Sequence, residues 1–243
     1  VLTDHAPHLY WFHETVDVYV VPSEEVKRRF LERGVPASKL QVLGIPIDSR
    51  FLERGDRRLL AQRFGLDPAQ PMILIMGGGA GFGRLREVVL QLDQLPHPCQ
   101  LVVVTGTNRS LYTWLTRRRF RHRVLAFPYV GVVAQLMDVA TLLVSKPGGL
   151  TTAEALAKGL PMVIVNPIPG QEVYNARYLL DQGAAVQAMS PETVRQTVRD
   201  LLDQPERIEA LRRRIADIAR PTAALEVAKL LFGLADGTVP HAS

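Results

Sequence analysis

Two glycine-rich segments and one polar turn carry residue types that could bind a phosphorylated ligand. The first, 76–83, follows an apolar run and precedes a stretch of helical periodicity. Glycines let the backbone approach a ligand closely, and a following helix N-terminus offers free N–H groups to a diphosphate. The segment has neither the Gly-Lys-Ser/Thr of a Walker A motif nor a clean G-x-G-x-x-G spacing. A tight strand-to-helix turn is the alternative interpretation.

The second segment, 145–154, again places glycines between a strand and a helix. Here Gly149, Thr151 and Thr152 are candidates for binding phosphate oxygens. A glutamate one turn into the helix, Glu154, could accept hydrogen bonds from both hydroxyls of a ribose. Thr151 and Glu154 also match the S/T-x-x-E capping box, so a well-capped helix is the alternative interpretation.

The third segment, 167–175, follows another apolar run and therefore falls at the edge where open parallel sheets bind ligands. Gln171, Glu172 and Asn175 offer donors and acceptors that could grip the hydroxyls of a hexose. An ordinary polar helix start is the alternative. Taken together, the three segments supply what a sugar nucleotide needs: N–H groups for diphosphate, a carboxylate for ribose, and polar groups for the sugar.

The elements that must position these segments alternate between short β-branched runs and helical periods. The apolar runs are nearly continuous, as expected for strands buried on both faces of a parallel sheet. The pattern predicts a doubly wound α/β fold with helices on both faces. We predict helices at 57–64, 84–95, 111–119 and 174–182, then helices across 191–234 broken at Pro205 and Pro221. The predicted strands are 16–21, 41–45, 72–76, 101–105, 123–126, 141–144, 162–165 and 184–187.

The segment 44–55 lacks helical periodicity and contains Gly and Pro residues that interrupt regular structure, which suggests a domain boundary. We expect residues 1–47 to be the end of one domain with its linker. Residues 48–220 would form a ligand-binding domain, and 221–243 a C-terminal helix and tail. Because the chain starts with Val1 inside what reads as a strand, we expect it to be part of a longer protein.

The chain is mildly basic, with 29 Lys and Arg against 24 Asp and Glu and a formal net charge of +5. The excess concentrates in five arginines of 117–123. A nucleic-acid face, an anionic membrane surface and a solvated helix end are the three interpretations. The single Cys99 excludes an intramolecular disulfide and cysteine-based metal clusters. No apolar run approaches the roughly 20 residues that span a bilayer.

The motifs resemble one family. The runs 146–156, 159–161 and 167–172, with Asn175, are similar to glycosyltransferases of the monogalactosyldiacylglycerol synthase and processive diacylglycerol glucosyltransferase group. These are relatives of the peptidoglycan enzyme that adds N-acetylglucosamine to lipid I. Other stretches match the group in order and spacing, namely Thr3-Asp4, His8, 11–13, 22–25, 44–47 and 77–83.

The resemblance implies a GT-B enzyme, with two Rossmann-like domains around a cleft, inverting and needing no metal or other cofactor. The donor would be a UDP-hexose and the acceptor a lipid such as diacylglycerol, with no nucleic-acid partner. It also implies a cytoplasmic protein, peripheral at the inner face of the membrane. By position, the diphosphate would lie at Gly79, Ala80, Gly81, Thr151 and Thr152, the ribose at Glu154, uracil at the backbone of Tyr129 and Val130, and the sugar at Gln171 and Glu172.

The family's acceptor-site groups lie upstream of the residues present here, so we expect most of the N-terminal domain and the main catalytic base to be missing. Asp4 and His8 are the remaining catalytic candidates. A base must lie within about 3 Å of the acceptor hydroxyl, so such a chain should bind donor without turnover. The alternatives are a non-catalytic UDP-sugar-binding module and a UDP-N-acetylglucosamine transferase or epimerase. The donor hexose stays open among glucose, galactose and N-acetylglucosamine.

Overall fold

The computed structural model describes residues 1–6, 8, 11–81 and 84–237. The strands are β1 (Tyr19–Val21), β2 (Leu40–Val42), β3 (Met72–Met76), β4 (Gln100–Val104), β5 (Arg123–Phe127), β6 (Leu142–Ser145), β7 (Met162–Ile164) and β8 (Ala185–Gln187). The helices are α1 (Glu24–Leu31), α2 (Arg57–Arg63), α3 (Leu85–Leu92), α4 (Arg109–Arg117), α5 (Val133–Val139), α6 (Gly149–Ala157), α7 (Gln171–Asp181), α8 (Pro191–Leu202), α9 (Pro205–Ile218) and α10 (Ala223–Ala235).

The main sheet has six parallel strands in the order β5-β4-β3-β6-β7-β8. Helices follow the strands and cover both faces. The predicted doubly wound α/β fold is therefore confirmed. The order reverses between β3 and β6, because the chain builds outward from β3 to β5 and then returns to the other side. Ligands bind at the carboxyl ends of the strands beside such a switch point.

Alternate residues of the central strands feed two separate hydrophobic cores. In β3, Leu74 belongs to the core on one face, whereas Ile73 and Ile75 belong to the core on the other. All five residues of β3 are buried, and so are all five of β4. This double burial explains why the sequence shows continuous apolar runs, and it gives the site a rigid floor.

The N-terminal residues form a smaller unit, in which β1 and β2 pair in parallel. Their core contains Leu2, Tyr19, Val26 and Phe30. The segment that follows β2 leads to α2 and then to the large sheet. The proposed division at 47/48 and 220/221 stays a prediction.

Most predicted elements occur within a few residues of their expected positions. β3 matches its predicted bounds, and α9 begins at Pro205 as the predicted break requires. The predicted strand 16–21 is shorter, with only Tyr19–Val21 paired. α5 was not predicted, because its seven residues lie between two apolar runs and lack a clear period.

Within the described ranges, no helix has the length and apolar character needed to cross a bilayer.

Candidate functional site

A cavity of about 390 Å³ opens at the carboxyl ends of β3, β4 and β6, beside the switch point. Its walls come from the loops that follow these strands and β5, from the first turns of α6, and from the segment before α2. The predicted site residues that line it are Gly79, Tyr129, Val130, Thr151 and Glu154.

The loop after β3 is braced by the loop after β4. The N–H of Thr107 donates a hydrogen bond to the carbonyl of Gly79 at 2.9 Å. A side chain at Gly106, where φ is +57°, would place its Cβ 2.1 Å from that same oxygen. The two loops therefore fit only because Gly106 has no side chain, and their contact holds Gly79 at the edge of the cavity.

The three loop residues predicted to meet a diphosphate differ in what they present. Gly79 and Ala80 are exposed. Gly81 is buried, its N–H donates to the carbonyl of Gly78 at 3.0 Å, and a Cβ there would lie 2.2 Å from the carbonyl of Thr105. Gly81 therefore shapes the turn, and its predicted contact with a ligand stays a prediction. The end of the motif, Phe82 and Gly83, lies outside the described residues.

Helix α6 begins earlier than the capping box predicted. Its N-cap is Gly148, which makes no side-chain capping bond. Thr151 consequently sits inside the first turn and faces the cavity. The predicted capping box is wrong, and the first N–H groups of α6 have no intrahelical acceptors. These groups and the positive end of the helix dipole favour an anion at this point.

Gly149 and Thr152 lie on a different side of α6 from the cavity. A Cβ at Gly149 would lie 1.7 Å from the carbonyl of Thr3, so glycine is needed for the N-terminal segment to pass. Thr152 is 1% exposed and lines a small void with His5 and Tyr178. Helical geometry turns the side-chain positions of both residues towards the interior, and their predicted phosphate contacts stay predictions.

Glu154 lies one turn into α6 and lines the cavity. Burial raises the pKa of its carboxyl to about 7, and the negative charge of Asp48 adds to the effect. The pKa of Asp48 is instead lowered to about 2 by its hydrogen bonds with Arg50. Two nearby carboxyls thus differ in charge state near neutral pH. In the described part of the chain, no group of three or more His, Cys, Asp or Glu could hold a metal ion.

The far end of the cavity is built around Tyr129 and Val130, in the loop after β5. Arg50 holds this loop, because its Nη1 donates to the carbonyl of Gly131 at 3.0 Å while its other guanidinium nitrogens bond Asp48. Tyr129 is 74% exposed. Sequence reasoning missed Asp48 and Arg50, whose i, i+2 spacing directly after 44–47 was the available signal.

The third predicted segment forms the start of α7. Gln171 is exposed, whereas Glu172 is only 7% exposed. One carboxylate oxygen of Glu172 accepts from the Nζ of Lys146, and the other accepts from the N–H of Ile168 at 2.9 Å. Lys146 passes beside Gly78, so this pair connects the polar turn to the glycine loop. Lys146 was missed, because a lone lysine beside a glycine motif gives no spacing to interpret.

Asn175 is not among the residues that line the cavity, and its predicted contact with the donor stays a prediction. It is completely buried. Its amide donates to Asp4 at 2.7 Å and to the carbonyl of Pro147 at 3.0 Å, and its oxygen accepts from the N–H of His5 at 2.7 Å. Both amide protons are used, so Asn175 fastens the N-terminal segment to the β6–α6 junction.

The two catalytic candidates stay predictions. The Asp4 carboxylate lies beside the start of α6, at 2.9 Å from where a Cβ of Gly149 would stand. His8 is exposed, and its ring lies 6.4 Å from that of Trp11. Neither Asp4 nor His8 is among the residues that line the cavity.

The arginines of 117–123 occupy the end of α4 and the start of β5, the edge strand of the sheet. All five are exposed. The Arg118 and Arg86 guanidinium groups lie 5.4 and 5.5 Å from the centre of the Trp114 ring. Because β5 starts here, this basic surface is at the amino-terminal edge of the sheet, opposite the cavity.

Comparison with known proteins agrees with this architecture. A curated relative, the processive diacylglycerol beta-glucosyltransferase of Bacillus pumilus, is 32% identical over 220 residues, which cover 90% of this chain and 57% of the relative. The solved structure of WaaG, a glycosyltransferase involved in lipopolysaccharide biosynthesis, matches with a TM-score of 0.62 at 21% identity, over 88% of this chain and 62% of that one. The structure of Anabaena HepE in complex with UDP-glucose matches with a TM-score of 0.61 at 16% identity, and the match covers 89% of this chain and 64% of that one.

These structural matches establish the GT-B fold that the resemblance implied. The chain spans little more than half the length of the curated relatives it matches. Residues 1–47 match the monogalactosyldiacylglycerol (MGDG) synthase family. Residues 72–225 match the glycosyltransferase family 28 C-terminal domain, and because this match covers more than half of the 243 residues, the chain belongs to glycosyltransferase family 28.

Proposed function

We propose that this chain binds a UDP-hexose in the cavity at the switch point, and that it supplies the donor site of a metal-independent, inverting hexosyltransferase that acts on diacylglycerol. Its relatives named processive diacylglycerol beta-glucosyltransferase support the reaction class. The fold match to a protein in complex with UDP-glucose supports the donor class.

The observation that carries the proposal is that Glu154 and the glycine loop line the same cavity. A ribose with two neighbouring hydroxyls fits a carboxylate acceptor. A diphosphate fits the exposed loop at Gly79 and the N-terminus of α6, where N–H groups and the helix dipole favour negative charge. The backbone of the loop at Tyr129 and Val130 would then face the base, beyond the ribose.

The hexose would lie towards α7, beyond the diphosphate. Gln171 is exposed there, and Glu172 is held in a fixed orientation by its two hydrogen-bond donors. A carboxylate has about four lone-pair positions, so Glu172 keeps acceptor capacity for sugar hydroxyls.

An acceptor such as diacylglycerol resides in a membrane, so we propose that the protein works at the cytoplasmic membrane surface. The arginines of 117–123 would strengthen attachment to anionic lipids. A strand of five residues spans about 16 Å, so these arginines lie at least that far from the cavity edge. They would act as an additional attachment point, and the acceptor would enter from the opposite edge.

Calorimetric titration with UDP, UDP-glucose, UDP-galactose and UDP-N-acetylglucosamine tests the donor site. We expect UDP to bind, one UDP-sugar to bind more tightly than the others, and Glu154→Ala to lose at least about tenfold in affinity, as expected when a charged hydrogen bond is removed. Glu192→Ala, at an exposed carboxyl in another helix, is the matched control and should bind normally. Equal affinity for UDP in both variants, or preference for NAD, would overturn the proposal.

A further inference from the structure

Lys146 is a cation that lies behind the lining of the donor cavity, packed beside Gly78, which is one of the lining residues. It follows β6 directly, and its side chain is 19% exposed. A Cβ built at Gly78 would lie 3.1 Å from its Cε and 3.8 Å from its Nζ. The lysine side chain therefore runs along the glycine loop, and its ammonium lies between that loop and the first turn of α7.

The ammonium has donors to spare. A lysine Nζ carries three N–H donors, and within the described residues Glu172 is the acceptor recorded for Lys146. The Glu172 carboxylate is itself fixed by the N–H of Ile168 at 2.9 Å. This leaves two N–H bonds of a fixed cation for another acceptor, next to the loop where the diphosphate would lie.

A second buried lysine shows what a purely structural ion pair looks like in this fold. Lys158 is 1% exposed at its side chain, and its Nζ bonds both oxygens of Asp138 and the carbonyl of Glu53. Its donors are all used. Lys146 differs in two ways, because its side chain is more exposed and its bonding is incomplete. A buried ion pair by itself adds little to stability. A structural role therefore does not explain the Lys146–Glu172 pair, in which the ammonium keeps donors that bond no protein acceptor in the described part of the chain.

We propose that the Lys146 ammonium binds the β-phosphate of the donor, the phosphate that carries the hexose, with Glu172 holding the ammonium in place. The inference rests on the proposed function and adds a residue to it. Position favours the β-phosphate, because Lys146 lies on the side of the glycine loop that faces α7, whereas Glu154 marks the ribose end. An ammonium there would donate charge-assisted hydrogen bonds to the phosphate oxygens.

Calorimetry with UDP, UMP and uridine separates this role from the others, because only UDP has a β-phosphate. We expect Lys146→Gln to weaken UDP binding about tenfold or more, the usual effect of losing a charge-assisted hydrogen bond, while UMP and uridine change less than about twofold. Lys146→Arg keeps the charge and should retain most of the UDP affinity. Lys229→Gln, on an exposed helix face, is the control for loss of a positive charge.

The outcomes discriminate between the two proposals. Parallel losses for UDP, UMP and uridine in Lys146→Gln would show that the lysine only supports the fold, and unchanged UDP affinity would show that it serves Glu172 alone; either result overturns the inference and leaves the donor site intact. Wild-type protein that binds none of the three ligands would overturn both the inference and the proposed function.

Discussion

Burial disfavours the ionised form of Glu154, whereas the proposed ribose contact needs that form, so a single substitution tests both effects. The carboxyl has an ordinary pKa of 4.5 and a pKa of about 7 in the folded chain, with burial as the main cause. Because the folded pKa is raised, the stability linked to the protonated group is fully present below pH 4.5 and is lost as the pH rises through 7. The difference corresponds to about 3 kcal/mol, reduced somewhat by the partial exposure of Glu154.

Glu154→Gln removes this titration and keeps the shape of the side chain. We expect the variant to gain about 1–3 kcal/mol of unfolding free energy relative to wild type between pH 5 and pH 8. Denaturant unfolding at both pH values measures the difference directly. Asp48 does not interfere, because its pKa of about 2 keeps it ionised throughout.

The same substitution should weaken donor binding. In the proposed site an ionised Glu154 would accept two ribose hydrogen bonds, so UDP-glucose should bind wild type more tightly as the pH rises from 6 to 8. The variant should bind weakly and without pH dependence. UDP-glucose is the suitable ligand, because its diphosphate has no terminal phosphate with a pKa near 6. A wild-type affinity that is flat across this range, or a pH slope that persists in Glu154→Gln, would refute the assignment of Glu154 to the ribose.

Three further substitutions test how the N-terminal segment is attached. Gly149→Ala should lower the unfolding free energy by at least about 2 kcal/mol in denaturant titration, because the new Cβ would lie 1.7 Å from the carbonyl of Thr3. Asn175→Ala should lower the unfolding free energy by about 2–4 kcal/mol in the same assay, because the buried groups that bond the Asn175 amide would lose their hydrogen-bond partner. His5→Phe should protect against acid: the pKa of buried His5 is about 3 instead of 6.5, so wild type loses stability as the pH falls below 6.5, by about 2–3 kcal/mol at pH 4.5.

The Gly149 and His5 substitutions each have a control. Gly79→Ala meets no atom within 4 Å of its Cβ, so it should leave the unfolding free energy unchanged if the Gly149 effect is steric. Phe at position 5 keeps the ring stacked on Tyr178, now 3.8 Å away, so a stability difference that does not vary with pH would point to packing and not to titration.

The sheet was predictable because its strands are buried on both faces. The apolar run of β3 leaves no other interpretation, and its bounds agree with the prediction. The junctions that follow β3 and β6 were also predictable, since glycines between a strand and a helix are rare without a reason. Strand order was not readable from the sequence, yet it is what brings these two junctions together.

The differences between the expected and the observed surroundings of the predicted site residues have one physical origin. A sequence motif states which residues are polar, but it does not state which other segment covers them. Asn175 shares a helix face with Gln171 and Glu172, and the prediction treated the three alike. In the structure the backbone N–H of His5, which is 170 positions away in sequence, donates a hydrogen bond to the side-chain oxygen of Asn175. The N-terminal segment also crosses the side of α6 on which Gly149 and Thr152 lie.

This crossing also limits where a ligand can approach the start of α6. Thr3 and Asp4 press against Gly149, and the Asp4 carboxylate already places a negative charge on that side of the helix N-terminus. A second anion on the same side would be repelled by it and would have no space. In the proposed site the diphosphate would therefore approach from the side of Thr151 and the glycine loop, which is the side on which the cavity opens. The N-terminal segment would thus determine which face of the α6 N-terminus is available to the proposed donor.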